Sequence, residues 1–159
     1  MTEPIYVSRS KIKGEGVFAS RDIKRGEVVC KMKGEKIPVG KLHKVSQSGR
    51  DIVVDPLQIS QTEYVNLARP YVVINHSCDP NCGIRQGNLV AIKKISKNEE
   101  ITYDYSSTWF DGFNCNCGSR ICRGHVGDFL GISKSVQRKY IKLGIIPDFI
   151  LKTLPNSGS

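Results

Sequence analysis

Short runs of β-branched and aromatic residues, separated by turns, fill much of the chain and predict strands. The predicted strands lie at residues 5–7, 16–19, 27–30, 89–92 and 101–105. The turn at 24–27 places Gly26 where a positive φ is expected, and the similar turn at 96–99 places Asn98 there. We interpret the two turns as the same local chemistry used twice, not as a sequence repeat.

Helical patterns are fewer. Residues 38–69 are weakly patterned and contain one predicted short helix at 62–68, which Pro70 would end. Residues 106–128 are rich in glycine and cysteine but poor in aliphatic side chains, which predicts an irregular segment tied by a metal.

The C-terminal part returns to helical spacing. A helix is predicted because Val136, Tyr140 and Leu143 recur at i, i+4 and i+7, with Ser133 as its cap and Gly144 as its end. A last short helix is expected from 147 to 154, and residues 156–159 are expected to be a disordered tail.

The chain has 159 residues with 24 Lys and Arg against 15 Asp and Glu, a net charge of +9. This size fits one domain. The positive field attracts nucleic acid, anionic surfaces or acidic proteins, although solubility explains the charge as well.

The apolar runs are too short to cross a membrane, and no secretory signal follows the start, so we expect an intracellular protein.

Six cysteines carry the first candidate chemistry, and without a secretory signal we do not expect disulfides. Cys115, Cys117 and Cys122 form a C-x-C-x4-C pattern, which brings three thiolates within reach of one ion. A structural zinc site takes four ligands, so Cys78 or Cys82 would supply the fourth. The alternative interpretation is that the cysteines of the pattern are unrelated free thiols. Cys30 lies in an apolar strand and is predicted to be a core residue.

Three further motifs have both a functional and a plain structural interpretation. K-G-E-G-V-F at 13–18 brings backbone close to a ligand or forms an ordinary β-turn. N-H-S-C-D-P-N-C at 75–82 follows an apolar run, so its polar start needs partners, either in a site or in the core. In E-E-I-T-Y-D-Y at 99–105 the two tyrosines would share one strand face. They would belong either to a site or to an ordinary cross-strand aromatic pair.

In this order and spacing, the four motifs resemble the SET-domain family of protein lysine methyltransferases with a zinc-binding post-SET segment, over about residues 4–124. The resemblance implies a mostly β fold of small twisted sheets, in which the strand of Asn75 threads under the segment after Tyr105 in a pseudoknot. It implies a SET domain at 1–107, a post-SET zinc segment at 108–126 and a helical extension at 127–155. That extension is similar to the one on small stand-alone bacterial SET proteins.

The resemblance also implies methyl transfer from S-adenosylmethionine to a lysine, catalysed by Tyr105 with Tyr103 tuning the product toward monomethyl-lysine and some dimethyl-lysine. The implied zinc ligands are Cys78, Cys115, Cys117 and Cys122, with Cys78 preferred over Cys82. The implied cofactor-binding residues are Lys13, Gly14, Glu15, Gly16, Asn75, His76, Tyr105 and Asn116.

The sequence departs from the family pattern in two places. Families of this kind usually carry Arg-Phe-Ile before N-H-S-C, whereas here the run is Val-Val-Ile at 72–74 with Arg69 upstream, which predicts a looser or repacked cofactor pocket. A second channel tyrosine is not placed; His43, Tyr64 and Tyr71 are its candidates.

Two other function classes therefore compete with the enzyme. One is a catalytically silent binding module that depends on the cofactor or zinc. The other is a basic zinc-containing nucleic-acid binder, although the sequence shows no stacking-aromatic or recognition-helix pattern.

The expected partner is a protein that presents a lysine, histone-like or otherwise basic, with Asp111 and Asp128 offsetting the like charge. A weak association with nucleic acid is also expected, and no membrane association. The expected location is the cytoplasm for a bacterial protein, and the nucleus or chromatin for one acting on eukaryotic chromatin.

Overall fold

The structure is a computed structural model that describes residues 2–40, 56–108 and 112–155. In these ranges short strands dominate. The strands are β1 (Ile5–Arg9), β2 (Glu15–Ala19), β3 (Val28–Lys31), β4 (Gly34–Pro38), β5 (Pro56–Gln58), β6 (Glu63–Leu67), β7 (Asn75–His76), β8 (Cys82–Arg85), β9 (Asn88–Ala91), β10 (Glu100–Tyr103), β11 (Phe113–Asn114) and β12 (His125–Val126).

Helices are short. In the part of the chain that the structure describes, 3₁₀ helices lie at Tyr71–Val73, Tyr105–Thr108 and Phe129–Gly131, and α-helices include α1 (Lys134–Leu143) and α2 (Asp148–Leu151). None of the described helices is long and apolar enough to span a membrane. The predicted tail at 156–159, His43 and Asp111 lie outside the described residues.

The strands form four small sheets, in the orders β1-β2-β10-β7, β3-β9-β8, β4-β6-β5 and β11-β12. In the first sheet β10 pairs antiparallel with β2 but parallel with β7, so that Asn75 faces Thr102 and His76 faces Tyr103. The predominance of strands confirms the predicted mostly β fold, and the parallel pairing brings the Asn75 strand beside β10, two residues before Tyr105.

The two turns predicted to be alike are alike. Gly26 has φ 87° and Asn98 has φ 69°. In each turn the next residue's N–H donates to a carbonyl three residues back: Glu27 to Lys24 at 3.0 Å, and Glu99 to Ser96 at 3.0 Å. An asparagine can therefore replace glycine where the left-handed conformation is required.

Two apolar clusters hold the described residues together. The larger one lies among the sheets and includes Val17, Ile23, Leu89 and Ile101, each fully buried. The smaller one packs the C-terminal part against Ile92 and contains Phe129, Ile132, Tyr140, Ile145, Ile146 and Ile150. The C-terminal part sits close to β8, because a Cβ at Gly83 would come within 2.5 Å of the Ile145 side chain.

The predicted helix at 62–68 is wrong. Those residues form β6, the central strand between β4 and β5. Their burial has a period of two, with Val65 and Leu67 buried and their neighbours less so. Pairing with two partner strands outweighs a weak local helical pattern.

The predicted strand at 101–105 is two residues too long, because β10 ends at Tyr103 and Tyr105 begins a 3₁₀ helix. Asp104 turns the chain there: its carboxylate accepts from the Ser106 N–H at 3.0 Å, and its carbonyl accepts from Ser107. The two tyrosines therefore do not share a strand.

The predicted C-terminal helix is confirmed as α1, and Gly144 ends it with φ 71°. Ser133 occupies the cap position, but its hydroxyl lies 3.3 Å from that of Ser135 and caps no backbone N–H. The last helix begins after Pro147 as predicted but ends at Leu151, earlier than the expected residue 154.

Candidate active site and cysteine cluster

The loop at 13–16 is fastened to β7 by one side chain. The Asn75 Nδ2 lies 3.2 Å from the Lys13 carbonyl oxygen, 3.0 Å from that of Glu15 and 2.9 Å from Glu100 Oε1. Gly14 has φ 48°, and a Cβ at Gly16 would collide with the Glu100 carboxylate. The glycines thus allow the loop backbone to approach Asn75 closely.

Arg69 also reaches this loop. Its guanidinium donates to both carboxylate oxygens of Glu15, at 2.7 and 3.1 Å, and both side chains are exposed. Arg69 holds the pKa of Glu15 below its usual value through these hydrogen bonds and its charge. The arginine upstream of the Val-Val-Ile run is therefore a partner of the predicted cofactor loop.

His76 is buried and connects two parts of the site. Its Nδ1 accepts from the Tyr105 N–H at 3.1 Å, and its Nε2 lies 3.3 Å from the Cys78 Sγ. Because Nδ1 accepts, the hydrogen-bond pattern assigns the proton of the neutral ring to Nε2, facing the sulfur. Burial lowers the pKa of His76 to about 4, although the nearby Asp104 carboxylate opposes this. The histidine is therefore neutral near pH 7.

Tyr105 lies at the centre of an aromatic group. Its hydroxyl donates to the Ile74 carbonyl oxygen at 2.6 Å. Its ring centroid lies 4.9 Å from that of Tyr103, 5.3 Å from His76 and 5.9 Å from Phe113. Phe113 was not predicted as a site residue; its only sequence signal is an aromatic residue two positions before the cysteine pattern.

The structure brings the predicted zinc ligands together. The Sγ atoms of Cys78, Cys115, Cys117 and Cys122 all lie within 4.8 Å of one another, and those of Cys78 and Cys115 are 3.9 Å apart. Four thiolates about 2.3 Å from one zinc ion would stand about 3.8 Å apart, so this donor set fits a tetrahedral zinc site.

Cys82 and Cys30 belong to the core instead. Both are buried in the main apolar cluster, and neither is part of the four-cysteine group. Burial raises the pKa of Cys30 to about 12 and that of Cys82 well above its usual range. Of the two candidates that the sequence left open for the fourth ligand, the geometry therefore favours Cys78.

Asp104, between the two tyrosines, is a buried junction that sequence reasoning missed. Only 1% of its surface is exposed, and it accepts from both terminal nitrogens of Arg123 at 2.8 and 2.9 Å and from the Tyr140 hydroxyl at 2.8 Å. Burial and the neighbouring Asp104 carboxylate both raise the pKa of Tyr140. One carboxylate thus joins β10, the cysteine-rich segment and α1.

Other predicted residues have their described contacts away from His76 and Tyr105. Asn116 is exposed, and its link to the cysteine cluster is its position between Cys115 and Cys117. The Tyr71 hydroxyl donates to Glu3 at 2.8 Å, and Tyr64 lies on β6 opposite Ile37. Asp128 accepts from the Gly131 N–H at 3.1 Å and so caps the 3₁₀ helix that follows it.

Several known proteins are similar to this chain. The protein-family model described as the SET domain matches residues 14–106. The chain is 34% identical over 139 residues to histone-lysine N-methyltransferase trithorax of Drosophila virilis, covering 77% of this chain and 4% of the relative. It is 36% identical over 141 residues to human histone-lysine N-methyltransferase 2B, covering 76% of this chain and 5% of the relative.

A solved structure, apo ctPRC2 with mutations in Ezh2, superposes with a TM-score of 0.57 at 23% identity, covering 68% of this chain and 16% of that chain. This likeness supports the fold alone. The chain spans about a twentieth of the length of the two curated relatives. The family model, by contrast, covers more than half of the chain and includes the loop at 13–16 from Gly14 onward, Asn75, His76 and Tyr105. The chain belongs to the SET-domain family.

Proposed function

We propose that this protein transfers a methyl group from S-adenosylmethionine to a lysine side chain of a protein substrate. The observation that carries the proposal is one connected arrangement: Asn75 bonds the loop at 13–16, and the neighbouring His76 bonds the backbone of Tyr105. Relatives that share the matched region are named histone-lysine N-methyltransferases.

The loop and β7 are suited to hold the cofactor. Backbone of residues 13–16, held by Asn75 and exposed around Gly14, would contact it, and His76 and Asn116 would complete its site. Bound S-adenosylmethionine would supply a methyl group already activated by the sulfonium, so the protein chiefly aligns and desolvates the reactants.

The substrate lysine must lose its proton before it can attack. Lowering its pKa from about 10.4 to about 8 costs roughly 3 kcal/mol, at about 1.36 kcal/mol for each unit. The rings of Tyr103, Tyr105 and Phe113 provide apolar walls that disfavour the charged amine. The Tyr105 hydroxyl donates a hydrogen bond to the Ile74 carbonyl oxygen, so its own oxygen can accept from the substrate amine or from polarised C–H groups.

Zinc is proposed as a structural ion held by Cys78, Cys115, Cys117 and Cys122. It would fasten the cysteine-rich segment to the connection that follows β7. Because His76 presents Nε2–H to the Cys78 sulfur, the ligand would also be oriented by the residue that bonds Tyr105.

The substrate class and location follow from the same proposal. The relatives' names favour a histone-like substrate and a chromatin location, while the bacterial alternative would place the protein in the cytoplasm with another basic protein as substrate. The proposed domain division is a SET domain at 1–107, a post-SET segment at 108–126 and an extension at 127–155.

Tyr105→Phe tests the reaction, because it removes only a hydroxyl. We expect turnover to fall about 100-fold while cofactor affinity and the melting temperature stay close to the parent values. The assay uses labelled S-adenosylmethionine with core histones and, separately, a cell lysate, beside calorimetric cofactor titration. Tyr6→Phe is the matched control, because it also removes one tyrosine hydroxyl, and the exposed Tyr6 hydroxyl bonds Asn98, which is not a predicted site residue. Equal turnover in Tyr105→Phe would refute the role, and cofactor binding by the parent with no transfer would favour the silent module.

Tyr103 is proposed to set the number of methyl groups, with mainly monomethyl-lysine and some dimethyl-lysine as products. Its ring lies against Tyr105 and is buried, so its hydroxyl occupies space that a methylated amine needs. Tyr103→Phe should shift products toward di- and trimethyl-lysine with little change in the first transfer. Mass spectrometry of a reacted peptide over time measures this; abundant trimethyl-lysine from the parent would contradict it.

A further inference from the structure

A groove of about 680 Å³ lies on the outer side of α1. Its charged lining is entirely cationic and comes from three parts of the chain: Arg25 in the turn after β2, Lys93 after β9, and Arg138, Lys139 and Lys142 on α1. Two apolar residues also line it: Ile92 is buried and Leu143 is half-buried.

These charges are largely uncompensated. Among the described residues, the ion pairs include Lys93 with Asp79 at 2.8 Å but none that involves Arg25, Arg138, Lys139 or Lys142. Helix α1 contains no acidic residue, and Lys134, Arg138 and Lys142 follow one another at i, i+4 and i+8. Like charges at this spacing destabilise a helix. An anionic ligand would remove that repulsion.

We propose that this groove binds the phosphate backbone of double-stranded nucleic acid, independently of methyl transfer. Cations that arise from three separate elements present a broad positive surface, which suits a repeating line of phosphates. Of the side chains that the structure describes, no aromatic one lines the groove, so the base stacking that holds single strands is not available there. Of its two apolar lining residues one is buried and one half-buried, so the groove offers no fully exposed apolar side chain for insertion into a membrane. Binding is therefore independent of base sequence and steeply dependent on salt.

The test measures fluorescence anisotropy of a labelled DNA duplex of about 20 base pairs between about 50 and 200 mM salt. The triple variant Arg138→Gln, Lys139→Gln, Lys142→Gln is compared with Arg9→Gln, Lys31→Gln, Lys36→Gln, which removes the same charge from exposed positions elsewhere. We expect the groove variant to bind at least tenfold more weakly. Its plot of log affinity against log salt should be shallower by about 2 to 3 units, since each phosphate contact contributes about 0.9.

The control triple variant should lose less than threefold in affinity. Arg25→Gln probes the same groove without altering the helix, and it should lose about twofold to threefold with a slope shallower by about one unit. Circular dichroism verifies that each variant is folded. Equal losses in the groove and control variants would show that net charge alone attracts DNA and would overturn the proposal. So would a parent protein that does not bind the duplex at 50 mM salt, or one that binds anionic vesicles but not DNA.

Discussion

The sheet core and the cysteine-rich segment at 113–126 are held by different physics. The core strands bury side chains completely, as at Val17 in β2 and Ile101 in β10. In residues 113–126, all of which the structure describes, Val126 alone is buried, and Ile121 is 58% exposed. That segment has two strands of two residues each, three of the four clustered cysteines and the Arg123–Asp104 pair.

This difference teaches where the site is fragile. Burial of apolar surface stabilises the core through many small contributions, so the loss of one is tolerated. In the proposed zinc-bound state the segment depends on four thiolates and the Arg123–Asp104 pair, so the loss of one of these groups is expected to displace it. Because Phe113 and Cys78 connect it to the aromatic group, we expect the active site to fail before the core does.

The largest expected effect comes from removing one zinc ligand. Cys78→Ser should reduce bound zinc from one ion per chain to nearly none and abolish methyl transfer. Hydrogen exchange should then become fast in 113–126 while β2, β9 and β10 remain protected. Cys82→Ser is the matched control, because Cys82 is a fully buried core residue outside the cluster, and it should keep its zinc. Full zinc content in the Cys78 variant would refute the ligand assignment.

The next effect isolates the buried ion pair. Arg123→Met removes the guanidinium but keeps an unbranched apolar stem, and it leaves the Asp104 carboxylate buried with fewer partners. We expect the free energy of unfolding to fall by about 2–3 kcal/mol, below the usual cost of a fully buried pair because the Arg123 side chain is 22% exposed. Arg120→Met, in the same segment but exposed, should change it by less than about 0.5 kcal/mol. Urea titration with metal analysis measures both, and equal effects would contradict this role of Asp104.

A smaller effect tests whether α1 belongs to the same junction. Tyr140→Phe removes one hydrogen bond to Asp104, which keeps Arg123 and the Ser106 N–H. We expect a loss of about 1–2 kcal/mol in unfolding free energy, as is typical of a buried hydrogen bond to a charged group. Tyr6→Phe, whose hydroxyl is at the surface, should lose less than about 0.5 kcal/mol. A Tyr140 variant as stable as the parent would show that the hydrogen bond from α1 to Asp104 does not stabilise the protein.

Local chemistry made part of this arrangement predictable from the sequence. The turns at Gly26 and Asn98 follow from the conformations that glycine and asparagine adopt easily, and α1 follows from its apolar spacing and Gly144. The C-x-C-x4-C pattern predicts a metal cluster because three of its ligands are close in the sequence. These features need only a few neighbouring residues.

Long-range partners could not be obtained in this way. The strand β6 depends on pairing with β4 and β5, and only its alternation at Val65 and Leu67 hinted at it. Asp104 finds Arg123 and Tyr140 at separations of 19 and 36 residues. Its signal was a carboxylate between two tyrosines, which does not reveal its partners. Local spacing alone left Cys78 and Cys82 open as the fourth ligand; the family resemblance preferred Cys78, and its Sγ lies with those of the other three cysteines.

The position of Asp104 along the chain has a consequence for synthesis on the ribosome. Both of its distant partners, Arg123 and Tyr140, are translated after it, and α1 comes last of the three elements that meet there. The early strands can pair while the nascent chain grows, but the Asp104 carboxylate stays in water until the later segments emerge. Asp104 therefore gains its full set of partners only after α1 has left the ribosome, so the junction beside Tyr105 is completed later than the sheets.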